Sequence, residues 1–384
     1  MVKYLLEKEP DQNRSNSNGV TPLMISLKEG NSEIVPILLE ACGNNLVTEK
    51  DNADRNVFHY AFDSRAPEQV TKIIVDFLHT CFGEVSAKTL KDLLTAKDLN
   101  EDTPFHTLAQ KRVEKNSFLR IFNHLDQEGA SAGVLECMKE KNFSKETPLH
   151  RAALKEETSF ADAVIEFGKE SALLEHLLAE KDENSNTALH LATQSKHNEK
   201  SPLLKFVKNN REPVRFLAMR NIFGWTPFSC AVVTGDLDVV KEMLKHLLQS
   251  ETKMLVNQPD YSNTSPLHLA AKYGHVGVFN LLLENGADIT RRGPSQQTPL
   301  DMAIDEDKRA IILAIIKGKL WKEAFKMPST TEAGTLDTPL RKLIRRFPDL
   351  AEEFLDNCCQ TRILRRSRAF RVDRGGISQR LETT

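Results

Sequence analysis

Eleven histidines and six cysteines are the residues of this 384-residue chain best suited to metal, thiol or acid–base chemistry, so their spacing decides whether such chemistry is assembled. Cys42, Cys81, Cys137, Cys230, Cys358 and Cys359 are scattered without a C-x-x-C pair, which argues against a disulfide framework and for a reducing compartment. His268 and His275 stand seven residues apart across a helix–turn rather than four apart on one helix face, so the two-histidine zinc helix is absent. No phosphate-cradling loop occurs, and the adjacent pair Gly375-Gly376 falls in an arginine-rich stretch. There is no G-x-S-x-G elbow, and the carboxylates are spread over what read as solvated helix faces. These absences lead us to expect no catalytic residue, no cofactor and no metal site.

Five histidines, His59, His106, His150, His190 and His268, instead share a place in one recurring phrase. It opens at Thr21, Asn56, Thr103, Thr147, Thr187, Thr226, Ser265 and Thr298, with spacings of 35, 47, 44, 40, 39, 39 and 33 residues. A Ser or Thr followed by Pro starts a helix, because the hydroxyl accepts an unpaired N–H and proline suits the first helical position. The clearest unit is Ser265–Ile289, "SPLHLAAKYGHVGVFNLLLENGADI", in which Gly274 permits a positive φ between two helices and Gly286 ends the second in a left-handed cap.

This unit resembles the ankyrin repeat, whose period is about 33 residues. The resemblance implies an all-α ankyrin-repeat solenoid of about eight repeats, with β-hairpin fingers and a C-terminal helix pair. It also implies that the five imidazoles bond backbone between neighbouring repeats. Spacings above the ankyrin period predict inserts before the fingers, and Glu84–Thr95 and Ala130–Glu140 carry leucines and valines at helical spacing, predicting short added helices. Leu- or Met-rich stretches such as "LLAEKDENSN" and "MLVNQPDYSN" read as arms of the fingers. Val2–Asn13 reads as the second helix of a repeat whose first helix is missing. The expected organisation is a half repeat and finger over 1–18, the array over 19–318, a linker over 319–337, a helix pair over 338–359 and a basic disordered tail over 360–384.

A formal net charge of −2 gives no pull toward nucleic acid, and none is expected as a partner. The longest aliphatic run, Ala310–Ile316, is far short of the roughly 20 residues a membrane helix needs. Beyond the array, Leu340, Leu343, Ile344 and Phe347 form one stripe of a helix that stops at Pro348, with Arg341, Lys342, Arg345 and Arg346 on the remaining face. Leu350, Phe354, Leu355 and Cys358 form the stripe of a second helix. The basic face reads either as solvated or as a contact for acidic groups or lipid headgroups.

The block "TPLRKLIRRFPDLAEEFLDNC" resembles the segment that joins the ankyrin array to the membrane domain in ankyrin-type transient receptor potential (TRPA) cation channels. The matching positions are Thr338, Pro339, Leu340, Arg341, Leu343, Ile344, Pro348, Ala351, Phe354, Leu355, Asp356 and Cys358. The resemblance implies a non-catalytic scaffold, the cytosolic ankyrin region of a homotetrameric cation channel answering chemical or thermal stimuli. It would bind other proteins through its concave surface and fingers and couple to a membrane domain absent from this chain. It implies a place on the cytosolic side of the plasma membrane, the chain alone being soluble and cytoplasmic. Cys358 and Cys359 become candidate reactive thiols, with Arg362, Arg365 and Arg366 as cations able to favour thiolate. The tail departs from the family: seven arginines against Asp373 and Glu382 give 360–384 a charge of +5 and leave −7 for 1–359. The alternative reading is an independent soluble ankyrin adaptor, distinguished by whether apolar spans follow Cys359 in the transcript.

Overall fold

The recurring phrase starts a helix wherever it occurs. In the computed structural model, Thr21 is extended and its hydroxyl accepts the Met24 N–H at 3.3 Å, starting the helix Pro22–Glu29. That helix ends at Gly30, in the left-handed region at φ 74°. Described residues are 15–42, 45–82, 86–126, 132–154, 159–194, 202–210, 212–245, 247–326, 328–330 and 336–358. The expected half repeat at Val2–Asn13, the residue Cys359 and the tail 360–384 lie outside them.

Two units divide the chain, residues 1–222 and 223–384. In the first, inner helices Pro22–Glu29, Val57–Phe62, Pro104–Leu108, Pro148–Ala153 and Ala188–Ala192 alternate with outer helices Ile34–Cys42, Pro67–Phe82, Lys115–Leu125, Ser159–Gly168 and Pro202–Asn209. A third helix follows each outer one, among them Ser86–Thr95, Ala132–Cys137 and Ala172–Ala179. These hold the extra residues of the long spacings, and two coincide with the predicted inserts. Ring packing runs through the core of this unit from Phe58 to Phe62 (5.7 Å), Phe105 (5.5 Å), Phe122 (6.4 Å) and Phe160 (5.8 Å). Phe58, Phe62, Phe105 and Phe122 have no exposed surface, and burying each such ring is worth about 1.5–3 kcal/mol.

The second unit carries the pairs Pro227–Thr234 with Leu237–Leu244, Pro266–Tyr273 with Val276–Glu284, and Pro299–Asp305 with Arg309–Lys317, plus a third helix Gln249–Val256 in the first of them. Between the first pair, Gly235 has φ 77°, and a Cβ there would lie 2.3 Å from Nδ1 of His275, so no other residue fits. His275 itself donates from Nε2 to the Val233 carbonyl at 2.9 Å, tying one repeat to the one before.

The fingers are shorter than the sequence suggests. Stretches read as hairpin arms are the ends of third helices: Leu174, Leu177 and Leu178 are buried on one side of Ala172–Ala179, and Leu255 and Val256 belong to Gln249–Val256. What remains is a polar turn. Oδ1 of Asp51 accepts the N–H groups of Ala53 (2.9 Å) and Arg55 (2.8 Å), and Asp98, Asp182 and Asp260 each do the same two and four residues on. The fourth residue of each turn, Asp54, Glu101, Ser185 or Asn263, is left-handed at φ 57–64°. Successive turns are bonded through backbone, as from Leu99 N–H to the Ala53 carbonyl (3.0 Å) and Glu183 N–H to the Ser144 carbonyl (3.1 Å).

Residues 319–337, expected as a linker, hold the helix Trp321–Lys326 and an antiparallel ladder in which Ser329 faces Asp337 and Thr330 faces Leu336. Helices Pro339–Arg346 and 348–358 follow as the expected pair.

Candidate functional site

The five histidines stand one per repeat and do not converge. Among the described residues no group of three His, Cys, Asp or Glu is placed to hold a metal ion. Each ring closes its own helix opening, and His59, His106, His150 and His268 also reach the next finger. At His106 the Thr103 N–H donates to Nδ1 (3.1 Å) and Nε2–H donates to the Glu146 carbonyl (2.9 Å). His150 repeats this with Thr147 N–H (3.2 Å) and the Asn186 carbonyl (3.0 Å), and His268 with Ser265 N–H (3.3 Å) and the Gln297 carbonyl (3.1 Å). His59 Nε2 meets the Asp102 carbonyl at 3.0 Å, and Nδ1 of His190 accepts the Thr187 N–H at 3.1 Å.

An Nδ1 that accepts a backbone N–H, on a ring whose Nε2 donates, is a neutral imidazole. Burial works the same way: it lowers the pKa of His59, His106 and His150, and pushes that of His268 down to about 4. At Ser265 the hydroxyl also lies 2.7 Å from Nδ1, and side chain and ring form a reciprocal capping box, while at Asn56 the amide oxygen accepts the Phe58 and His59 N–H groups. Gly274 has φ 80° at the end of Pro266–Tyr273, and Gly286 has φ 86° just past Val276–Glu284.

Three openings lack histidine, and Thr21, followed by Met24, caps its helix through its own hydroxyl. At Thr226 the partner is Ser229, whose N–H donates to Thr226 Oγ1 at 3.1 Å. At Thr298 it is Asp301, a carboxylate with 0% exposure. Its Oδ2 accepts the Thr298 N–H (3.0 Å) and hydroxyl (2.8 Å). A buried anion needs a cation. Oδ1 finds one in the Lys342 ammonium at 2.9 Å, a side chain only 14% exposed that comes from the helix Pro339–Arg346.

Around this pair the C-terminal helices are fastened to the last repeat. Arg346 donates to the Ile304 carbonyl at the end of the repeat's first helix (2.7 Å) and lies 3.6 Å from Asp305 and 3.8 Å from Asp307. Asp305 is held above the usual carboxylate range, because its burial outweighs the pull of Lys342 and Arg346. Arg345 pairs with Asp337 (2.7 Å), Lys317 with Glu353 (2.9 Å), and Arg309 with Asp349. Asn357 donates to the Ile316 carbonyl at 2.7 Å. Leu343, Phe347, Leu350, Ala351 and Phe354 are buried, and Phe354 packs on Phe325 (4.0 Å) and Trp321 (5.6 Å).

The expected apolar stripe is therefore rotated. Leu343 and Phe347 face inward, Leu340 is half-buried, and Ile344 is 50% exposed. The side facing the repeat is the i, i+3, i+4, i+7 set Pro339, Lys342, Leu343 and Arg346, because two of its cations are drawn to the acids of the repeat. On the second helix Leu355 is 47% exposed, Cys358 is half-buried and Pro348 is exposed. Of the basic face only Lys342 is drawn inward, at 14% exposure; Arg345 and Arg346 pair with acids of this unit while staying 66% and 45% exposed, and Arg341 is exposed. Asp301, Trp321 and Asn357 were not singled out from the sequence, whereas Lys342 and Arg346 stand there as members of the basic face, one reading of which is a contact for acidic groups. The signal was there in Asp301, the one carboxylate where five other openings carry histidine.

The family model for ankyrin repeats matches three times, over residues 1–81, 197–293 and 242–321. The chain is 27% identical over 284 residues to a transient receptor potential cation channel subfamily A member 1 homolog of Caenorhabditis elegans, covering 72% of this chain and 21% of that one. It is 25% identical over 358 residues to the human subfamily A member 1 channel, covering 93% of this chain and 28% of that one. A probable 26S proteasome regulatory subunit, p28, of Saccharomyces cerevisiae is 30% identical over 159 residues, 41% of this chain and 63% of that one. The chain thus spans about a quarter of the length of the two channels it is similar to. With matched repeats over more than half of its residues, capped and cross-bonded as described, the chain belongs to the ankyrin-repeat family, whose repeats serve protein–protein interaction.

Proposed function

We propose that this chain is a non-catalytic interaction and coupling scaffold, equivalent to the cytosolic ankyrin region of a TRPA-like cation channel. In that setting it links a chemical or thermal stimulus to a membrane domain of a homotetramer on the cytosolic side of the plasma membrane. The observation that carries the reading is the Asp301–Lys342 pair, which fastens the segment resembling the channel linker onto the last repeat. Rearrangement of the repeats would reach that segment through a bonded contact rather than a loose tether. Among the described residues no helix is long and apolar enough to cross a membrane, and the proposed pore is supplied elsewhere.

The test is a chimaera of the human channel in which residues 15–358 replace the matching segment. We expect stimulus-evoked cation current, and loss of that current on Lys342→Met with surface expression retained. A chimaera that reaches the surface and conducts identically with and without Lys342 would remove the coupling role.

A further inference from the structure

Two cations of the second unit, Lys253 and Arg291, share a cleft. The cleft, about 720 Å³, is lined by Ser250, Lys253 and Met254 from the helix Gln249–Val256, by Asn257, and by Asp288 and Arg291 beyond the next repeat's second helix. Its frame is rigid. Asn257 donates from Nδ2 to the carbonyls of Lys253 and Gly286, both at 2.9 Å, and its Oδ1 accepts the Asp288 N–H at 2.9 Å. One side chain thus ties the two walls together. The Asp288 carboxylate is occupied by its own turn, where Oδ1 accepts the Thr290 N–H (2.9 Å) and hydroxyl (2.7 Å).

Lys253 is exposed and meets no carboxylate among the described residues. Arg291 has a buried Nε without a hydrogen-bond partner, and Nη2 makes only a 3.5 Å approach to Asn263 Oδ1. A guanidinium left this way is uncommitted, and a carboxylate is the group its planar fork suits best. Met254, 49% exposed on the same helix, offers an adaptable apolar floor.

We infer that the Lys253–Arg291 cleft binds an acidic peptide segment of a partner protein, its carboxylates on the two cations and an apolar side chain on Met254. The inference rests on the scaffold reading and gives it a partner chemistry. The cleft favours a peptide over a small free anion, because its cations stand on separate elements around an apolar floor instead of converging with backbone donors on one point.

A random peptide library displayed on phage and selected against the intact chain tests it. We expect enriched peptides to carry Asp or Glu at a fixed distance from Leu, Met or an aromatic. Their binding should fall about tenfold on Lys253→Gln or Arg291→Gln, about 1.4 kcal/mol each, with thermal unfolding unchanged. Raising salt should weaken them, since screening shortens from about 10 Å at 0.1 M to about 3 Å at 1 M. Enriched peptides that lack acids, or that bind both variants as well as the parent, would overturn this site while leaving the scaffold standing. Recovery of no peptide at all would count against both. Displacement of an enriched peptide by millimolar inorganic phosphate would assign the cations to a small anion and overturn the peptide site.

Discussion

The repeats opened by Ser265 and Thr298 solve the same problem with different chemistry. Both bury a polar side chain at the fourth position to close the helix start. The neutral ring of His268 has a second nitrogen, and it carries the bond onward to the Gln297 carbonyl of the following finger. The carboxylate of Asp301 cannot donate, so it demands a cation, and Lys342 supplies it. An imidazole therefore invites another repeat, while a carboxylate ends the series and recruits a basic helix.

The hardest blow to that contrast is Lys342→Met, which leaves Asp301 buried without its cation. Losing one partner of such a pair costs about 3–5 kcal/mol. We expect release of 336–358 to limited proteolysis well before the array unfolds. Adding Asp301→Asn should recover much of the loss in a double-mutant cycle, and two additive effects would mean the pair is not coupled.

Replacing His268 by Ala should cost about 1–3 kcal/mol by orphaning the Ser265 N–H and the Gln297 carbonyl. Hydrogen exchange should show the opening of residues 293–305 before that of other inner helices.

Acid separates the two openings further. His268 titrates near 4 when folded against an ordinary value of 6.5, so the unfolded chain binds the extra proton between those values. Its contribution is complete above 6.5 and is lost as pH falls toward 4, at about 1.4 kcal/mol per pH unit for the ring. His59, His106 and His150 shift in the same direction. Asp305 has a raised value and works oppositely: its contribution is complete below the ordinary 3.8 and is lost as pH rises through the folded value. Unfolding followed by urea from pH 7.5 to 4.5 should show the histidine-capped repeats weakening while the Thr298 repeat keeps its C-terminal helices.

Gly286→Ala should cost about 1–2 kcal/mol from the left-handed backbone alone, since nothing lies within 4 Å of a Cβ there. The smallest effect is chemical. Half-buried Cys358 should react with a thiol reagent faster than Cys230 or Cys137, the latter buried and pushed up to about 11. Equal rates would show that the junction does not open.

The repeats were legible because every inner-helix opening starts on a hydroxyl or amide, followed in most of them by proline and by a polar fourth residue. The inserted helices at 86–95 and 132–137 were legible from their period. The short fingers were not, since leucine-rich stretches of eight residues fit a helix and a strand equally. Nor was the rotation of Pro339–Arg346. Hydrophobic spacing alone puts Ile344 inside, and only the acids at Asp301 and Asp305, some 40 residues earlier, turn Lys342 and Arg346 toward the repeat instead.

The ring-to-finger bond also explains how this array tolerates uneven repeats. His59, His106, His150 and His268 each reach the carbonyl just ahead of the next opening, although those partners stand 43, 40, 36 and 29 positions further along the chain. Pitch is set by a side-chain strut, and polymer length is left free to vary behind it. Insertions and deletions behind the strut can therefore accumulate, or be engineered, without shifting the phase of the neighbouring units.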